Sequence, residues 1–173
     1  MPRKPFGRGW LAVFAASAAL LPAPARAQLE QPAFVDDAPI AADTLRGLGE
    51  LIARGGRAEA ARALQRLLDE HGSRVVATRD DEDLFVSVRT AVHDRLLADP
   101  ALLGTYADVF EPRAADELAA GNARGVESVL LLTPSGFEAA LRVAQDHLES
   151  ARFDAAWRAL AQLDPHPART GRA

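Results

Sequence analysis

Clustered carboxylates are the first residues in this chain whose types and spacing could do chemistry. Asp80, Asp81, Glu82 and Asp83 follow one another directly, and hard cations such as Ca²⁺ prefer several oxygen ligands. An EF-hand loop, however, needs alternating ligands, a central glycine and a distal glutamate, none of which this run provides. The run is therefore predicted to be a solvated acidic loop, and we expect no metal site there.

The histidines are the next candidates, because neutral imidazole binds zinc. His71, His93, His147 and His166 are far apart in sequence, and neither an HExxH motif nor any cysteine accompanies them. We expect them at the surface or at helix ends. No metal and no cofactor is predicted.

Ser135 is a candidate catalytic nucleophile, and Trp157 is a candidate binding residue. Ser135 lies in TPSGF, which lacks the GxSxG spacing of a nucleophile elbow, so it is predicted to lie in the first turn of a helix. Trp157 could anchor a partner peptide, but its place in an apolar stripe favours packing in the core. We found no catalytic constellation and predict a protein that is not an enzyme.

The first 27 residues form a cleavable signal peptide by their pattern. Three basic residues precede an apolar run over 10–21, and an A-x-A motif follows. Twelve apolar residues are short of the roughly 20 that span a bilayer as a helix. The residues at the cleavage site are Ala25, Ala27 and Gln28. Export to the periplasm or cell envelope is predicted, without lipidation because there is no cysteine, and without a membrane span after cleavage.

Charge argues against nucleic acid as a partner. The signal peptide holds four of the 20 basic residues and no acid, so 16 basic residues remain against 24 acidic ones, a formal charge of −8. Binding to a phosphate backbone requires a basic patch, which this acidic chain lacks.

Four regions follow from the pattern along the chain: the signal peptide over 1–27, a flexible linker over 28–43, a helical domain over 44–167 and a disordered tail over 168–173. The linker contains two prolines and no sustained apolar period, and Asp43 is a suitable N-cap for the first helix. We expect seven or eight helices, each too short to be stable alone, and hence an all-α fold of packed hairpins.

Two helical hairpins, at the start and end of the domain, resemble each other. The first has a helix with Leu45, Leu48 and Ile52 on one face, a Gly55–Gly56 turn and a second helix over 57–70. Gly47 and Gly49 would weaken the first helix, so another helix is expected to pack closely against them. In the last hairpin, Thr133–Pro134 opens a helix that runs to about Glu149. Its inner stripes are predicted to be Phe137, Ala140, Leu141, Ala144 and Leu148, then Phe153, Ala156, Trp157, Leu160 and Leu163.

An alignment of GRAEAARALQRLL from Gly56 with ARFDAAWRALAQL from Ala151 gives a weak internal repeat, which pairs Arg57 with Arg152 and Ala61 with Ala156. The middle of the domain is helical but irregular. One helix is predicted over 85–96, where LFVSV is also compatible with a short strand, and another begins at Asp99–Pro100. A third opens at Glu111–Pro112, and a short one follows Gly121–Asn122.

The two hairpins resemble the tetratricopeptide repeat, in which small residues let paired helices approach and a glycine makes the turn. The first hairpin matches the pattern at Leu45, Leu48, Gly49, Ile52, Gly56 and Ala61. The last matches it at Ala140, Ala144, Phe153, Ala156 and Leu160. The resemblance implies stacked antiparallel hairpins with a concave face that binds protein or peptide.

A second resemblance covers most of the chain. The first hairpin, then FVSVRTAVHDRLLADPALL, then TPSGFEAALRVA and the last hairpin look like the N-terminal helical region of secreted bacterial PQQ-binding-like β-propeller proteins. No propeller blades are present in this sequence, so the resemblance implies location and a scaffold role but no quinone.

Two functions follow as expectations. In the first, the chain is the exported, noncatalytic helical portion of a β-propeller envelope protein, natural or truncated, and exposes apolar surface at its C-terminal end, where a domain docks. In the second, it is an independent periplasmic adaptor that binds a protein or peptide in its groove and has a polar C-terminal cap.

Overall fold

A computed structural model describes residues 37–77 and 84–170. Eight helices and two short strands lie within these ranges: α1 Pro39–Ala53, α2 Arg57–His71, β1 Val75–Ala77, β2 Phe85–Ser87, α3 Val88–Leu97, α4 Pro100–Ala119, α5 Ala123–Val129, α6 Pro134–Glu149, α7 Phe153–Ala161 and α8 Pro167–Thr170. The all-α prediction is confirmed. The signal-peptide and cleavage-site predictions lie outside the described residues, as do the acidic run and the last three residues of the predicted tail.

The helices pack in series along the chain. Helix α2 contacts α1, α3 and α4, helix α4 contacts α5 and α6, and α6 pairs with α7. The largest apolar cluster joins α1 to α4, and smaller clusters continue it through α5 and α6 to α7. Strands β1 and β2 form a two-stranded antiparallel hairpin in which Val76 pairs with Val86. The LFVSV segment thus contains both predicted alternatives, a strand followed by a helix that begins at Val88.

Helix α1 begins earlier than the sequence pattern indicated. It starts at Pro39, so the predicted linker over 28–43 extends into the helix and Asp43 lies inside it. Proline is well suited to the first helical position because its fixed φ matches the helix. The backbone N–H of Ala38 also donates to the carbonyl of Val75 at 2.9 Å, which fixes the entry of the chain.

Four helix starts have the side-chain caps that their residue types favour. Ser87 accepts a hydrogen bond from the N–H of Thr90, and Asp99 accepts from two N–H groups of α4. Asn122 accepts from the N–H of Gly125, and Thr133 accepts from that of Gly136. The predicted starts at Asp99–Pro100 and Thr133–Pro134 are confirmed. Such caps satisfy N–H groups that have no partner within the helix.

Helix α4 is continuous where two helices were predicted. It runs through Pro112, although a proline inside a helix removes one backbone hydrogen bond. Tyr106, Phe110, Ala114 and Leu118 are spaced four residues apart on both sides of Pro112 and lie in or against the apolar core. Burial along this stripe therefore keeps the helix in one piece.

A buried polar network ties α2 to α4 and α5. The hydroxyl of Tyr106 donates to Oε1 of Gln65 at 2.6 Å, and Nε2 of Gln65 donates to the carbonyl of Val129 at 3.2 Å and to Asp69 at 2.9 Å. Arg113 contacts Asp69 through both terminal nitrogens, at 3.0 and 3.3 Å. The bonds between Tyr106, Gln65 and Val129 satisfy polar groups that would otherwise be costly to bury, whereas the Arg113–Asp69 ion pair is partly exposed. Burial raises the pKa of Tyr106.

The start of α6 is held against α4 and the preceding turn. Ser135, in the first turn as predicted, donates through its hydroxyl to Glu111 at 2.7 Å and through its backbone N–H at 3.0 Å. A Cβ at Gly136 would lie 2.1 Å from the carbonyl oxygen of Leu130 and 2.5 Å from that of Leu131. Only glycine therefore fits here, where the first turn of α6 lies against the turn that precedes it.

Candidate interaction surface

The last helical hairpin exposes a row of large apolar side chains. Trp157 is 73% exposed and Phe153 is 65% exposed, and Leu160 follows them on the same side of α7. Leu141 and Leu148 of α6 are also exposed. We call these five residues the apolar face: Leu141, Leu148, Phe153, Trp157 and Leu160.

The orientation of α7 contradicts the sequence interpretation. Phe153, Trp157 and Leu160 share one side as predicted, but that side faces solvent, so the prediction that Trp157 packs in the core is wrong. The small residues Ala156 and Ala159 are buried instead. Periodicity identifies residues that share a side of a helix, whereas the neighbouring helix determines which side is covered.

The five residues of the apolar face lie on one side of the hairpin. Residues seven apart on a helix share a side, as Leu141 and Leu148 do on α6 and Phe153 and Leu160 do on α7. A groove between α5, α6 and α7 marks the opposite side. On each helix, the side that contacts the other helix lies between the groove side and the apolar side. Because α6 and α7 are antiparallel, their apolar sides therefore lie on the same side of the hairpin, opposite the groove. The face extends about 10 Å along each helix, at 1.5 Å per residue.

The turn between α6 and α7 has the same backbone hydrogen bonds as the turn between α1 and α2. The N–H of Gly55 donates to the carbonyl of Ile52, and the N–H of Ala151 donates to that of Leu148, both at 2.9 Å. Gly55 has a φ of +85° and Ala151 a φ of +54°, so both adopt the left-handed conformation. The structural repeat therefore pairs Gly55 with Ala151 and is one residue out of register with the sequence alignment.

This register gives each residue of the apolar face except Phe153 an apolar counterpart in the first hairpin. Trp157 corresponds to Ala61 and Leu160 to Leu64, and both counterparts are fully buried. Leu141 and Leu148 correspond to Leu45 and Ile52, which are half-buried against the largest apolar cluster. Equivalent positions are thus covered in the first hairpin and uncovered in the last. The predicted pairing of Ala61 with Ala156 is replaced by Ala61 with Trp157.

The other residues assigned to repeat packing fall into two groups. Leu48, Ala61, Ala140, Ala144 and Ala156 are buried. Gly56 is close to Leu51, because a Cβ there would lie 2.8 Å from Cδ1 of that side chain. Gly49 differs from the expectation: it is exposed, and no atom lies within 4 Å of the position of a Cβ at either Gly47 or Gly49. No helix packs closely against these two glycines within the described part of the chain.

Two of the four histidines, His93 and His166, lie in buried surroundings. His166, expected at the surface or at a helix end, directly precedes α8 and is only 2% exposed. Its Nε2 contacts the carbonyl of Leu131 at 2.9 Å, and its Nδ1 accepts from the N–H of Ala168 at 3.0 Å. Its ring packs on Phe137. Burial lowers the pKa of His166 and, together with Arg89 and His166, lowers the pKa of His93 to about 4. Among the described residues, no three His, Asp or Glu side chains come together as a metal site.

The groove on the opposite side of the hairpin is small and polar. It has a volume of about 310 Å³ and is lined by Glu127, His147, Arg158 and Gln162 with three apolar residues. Gln162 donates to Glu127, which joins α5 to the end of α7. The Gln162–Glu127 bond connects two helices across the groove, whereas the side chains of the apolar face are exposed.

No family model, curated protein or solved structure matches this chain. The resemblances to the tetratricopeptide repeat and to the propeller-associated helical region therefore stay predictions. In 37–77 and 84–170, no helix is long and apolar enough to cross a membrane.

Proposed function

We propose that this chain is an exported, noncatalytic scaffold of helical hairpins that binds another protein through the apolar face. The observation that carries the proposal is the exposure of Trp157 and its neighbours at positions whose counterparts in the first hairpin are covered. Large apolar side chains exposed together on one surface are typical of interaction sites. Tryptophan in particular is enriched among the residues that dominate binding energy.

The position of the face favours the first of the two expected functions. A domain that docks at the C-terminal end calls for apolar surface there, whereas an independent adaptor calls for a polar cap. The partner that the resemblance implies is a β-propeller domain, in the same or another polypeptide. The alternative, a periplasmic adaptor that holds a peptide in a concave groove, would use residues away from Trp157.

The noncatalytic part of the proposal is supported by the hydrogen bonds of two candidate reactive residues, Ser135 and His166. Both the hydroxyl and the backbone N–H of Ser135 are hydrogen-bonded to Glu111. Both ring nitrogens of His166 are hydrogen-bonded to backbone groups. Neither residue has a free group aimed at a substrate.

An aromatic photo-crosslinking amino acid at position 157 of the full chain, expressed in cells, tests the interaction, because it keeps a large ring in place of the Trp157 side chain. We expect one discrete adduct with a second protein, and we expect Phe153→Asp in the same chain to remove it. Ile40 is the matched control position, since it is a similarly exposed apolar residue on α1. Equal adducts from positions 40 and 157, or no adduct from 157, would contradict the proposal.

Export is tested by the mass of the protein in the envelope fraction. We expect the chain to begin at Gln28 there. A chain that still begins at Met1 would contradict the cleaved signal peptide without bearing on the apolar face.

A further inference from the structure

The ring of His166 is held by two hydrogen bonds to backbone groups, and together they fix its protonation state. Nε2 lies 2.9 Å from the carbonyl oxygen of Leu131, and Nδ1 accepts from the N–H of Ala168 at 3.0 Å. A carbonyl oxygen can only accept, so Nε2 must carry the hydrogen and Nδ1 must have the free lone pair. Only the neutral ring, in this one tautomer, satisfies both bonds.

Protonation of His166 would remove the acceptor for Ala168. In the charged ring both nitrogens carry hydrogen, so Nδ1 would present an N–H to the N–H of Ala168. Rotation of the ring restores no acceptor, because neither nitrogen then has a free lone pair. The bond to Leu131 tolerates the charge, whereas the bond to Ala168 cannot form.

Helix α8 depends on its tertiary contacts, because it has only four residues, Pro167–Thr170. Three of these residues, 168–170, belong to the predicted tail. We call residues 166–170 the latch. The N–H of Ala168 is bonded to His166, and the Ala168 side chain packs against a small apolar cluster. The hydrogen bond to Nδ1 therefore lies at the contact that holds α8 in place.

The latch covers part of that cluster. Its buried members are Leu131, Phe137, Ala140 and Leu163. The ring of His166 packs on that of Phe137, with a centroid distance of 4.9 Å. Release of the latch would therefore expose apolar surface at the start of α6.

The charged groups of α3 oppose a charge on His166. His93 lies close enough for a charge on His166 to lower the pKa of His93, and Arg89 acts on His93 in the same direction. Like charges disfavour one another's charged forms. Helix α3 thus presents cationic groups to this part of the chain.

The other elements around the ring offer it no negative charge. The carbonyls of Leu131 and Thr133 favour the protonated form, but burial outweighs them and lowers the pKa of His166. Helix α6 contributes the uncharged ring of Phe137. Beside the latch, Asp164 pairs with Arg169. Among the described residues, no carboxylate forms a hydrogen bond or an ion pair with the imidazole.

We propose that the latch is an acid-sensitive device, which is closed over the apolar cluster while His166 is neutral and opens when the ring is protonated. In the open form, the ring has the proton affinity of an exposed histidine. Below about pH 6.5, each pH unit therefore favours the open form about tenfold, until the ring in the closed form is also protonated. The latch shares no residue with the apolar face, so the inference does not depend on the proposed function.

Hydrogen exchange measured by NMR on the full chain tests the latch. The reporters are the N–H groups of Ala168 and Arg169, which donate to Nδ1 and to the carbonyl of His166. Rates from neutral pH to about pH 5 are divided by those of an unstructured peptide of the same sequence. We expect the protection of both amides to fall about tenfold per pH unit below about pH 6.5. At every pH it should stay below the protection of α2 amides, because the opening is local.

His166→Asn tests whether His166 is the trigger. The asparagine oxygen can accept the N–H two residues later and does not titrate, so the latch should stay protected without the tenfold slope. His93→Gln is the matched control, since it removes the neighbouring titratable ring and should leave the slope unchanged. Fluorescence of anilinonaphthalene sulfonate, which binds exposed apolar surface, should rise on acidification more in the unaltered chain than in His166→Asn.

Nitrogen-15 shifts of the His166 ring in the unaltered chain report its protonation directly. Protection of Ala168 and Arg169 that stays constant while the ring protonates would overturn the inference. Absence of protection at neutral pH would also do so, since the latch would then never be closed. The same slope in His166→Asn, or loss of the slope in His93→Gln, would assign the opening to another group. Protection equal to that of α2 at every pH would mean that only global unfolding exposes these amides.

Discussion

The hydrogen bond between Tyr106 and Gln65 gives the sharpest test of what holds the helices together. Tyr106→Phe removes a hydroxyl that donates to Oε1 of Gln65 at 2.6 Å. Both side chains are almost fully buried, so water does not replace the lost donor. The free energy of unfolding should fall by the cost of leaving one buried amide oxygen without a partner, about 2 kcal/mol.

The assay is urea unfolding followed by circular dichroism at neutral pH. The midpoint should decrease while the slope stays unchanged, because the surface exposed on unfolding is the same. Thr105→Val is the control, since the Thr105 hydroxyl, which contacts the carbonyl of Ala101 at 2.9 Å, lies outside the buried network. The control should change stability by less than about 0.5 kcal/mol.

A double-mutant cycle with Gln65→Leu measures the coupling directly. Because Tyr106 and Gln65 share one hydrogen bond, the double variant should be more stable than the sum of the single effects by about 1 kcal/mol or more. Additive effects, or a loss below about 0.5 kcal/mol in Tyr106→Phe, would refute the conclusion that this network anchors α4 to α2.

Three further predictions concern packing and pH. Gly136→Ala should destabilise the fold by about 2 kcal/mol or more in urea unfolding, because its methyl group would overlap the carbonyls of Leu130 and Leu131. A neutral effect would contradict the close contact between α6 and the turn that precedes it. Gly49→Ala should stabilise the fold by up to about 1 kcal/mol, since the position is open and helical, and destabilisation would reveal a hidden contact. Burial lowers the pKa of His93 in the folded chain to about 4. The unfolded chain, in which His93 has its ordinary pKa, therefore binds a proton more readily than the folded chain, and the free energy of unfolding should fall as pH drops from 6.5 towards 4. The part due to His93 is about 3 kcal/mol at 1.36 kcal/mol per pH unit. His93→Gln should remove that part and leave the part due to His166, whose pKa burial also lowers. An unchanged pH profile in His93→Gln would contradict the assignment.

Helix starts with a side-chain cap could be predicted from the sequence because their signal is local. Asp99 and Thr133 each cap a helix within three residues. The start at Pro39 was missed, although proline at the first helical position is itself a start signal. The continuity of α4 through Pro112 depends on burial along the whole helix, which no local pattern contains.

The apolar face shows what periodicity can and cannot establish. The sequence places Phe153, Trp157 and Leu160 on one side of a helix, and the structure agrees. Helix α7 also carries small residues that pack against α6, so either side was a possible interface. The comparison with the first hairpin indicates which side is exposed. With the one-residue shift in register, Trp157 corresponds to Ala61, a buried position where the first hairpin has only a small side chain.

The alanine in the last turn has a consequence for how the protein opens. Ala151 holds a φ of +54°, where its Cβ costs roughly 1–2 kcal/mol that Gly55 avoids in the first turn. The hairpin that carries the apolar face is also packed on one side only. Local unfolding free energies are lowest in such elements, so amide hydrogens of α7 should exchange with solvent before those of α2. Binding to the apolar face would then slow that exchange, so that docking and local order in the last hairpin are thermodynamically linked.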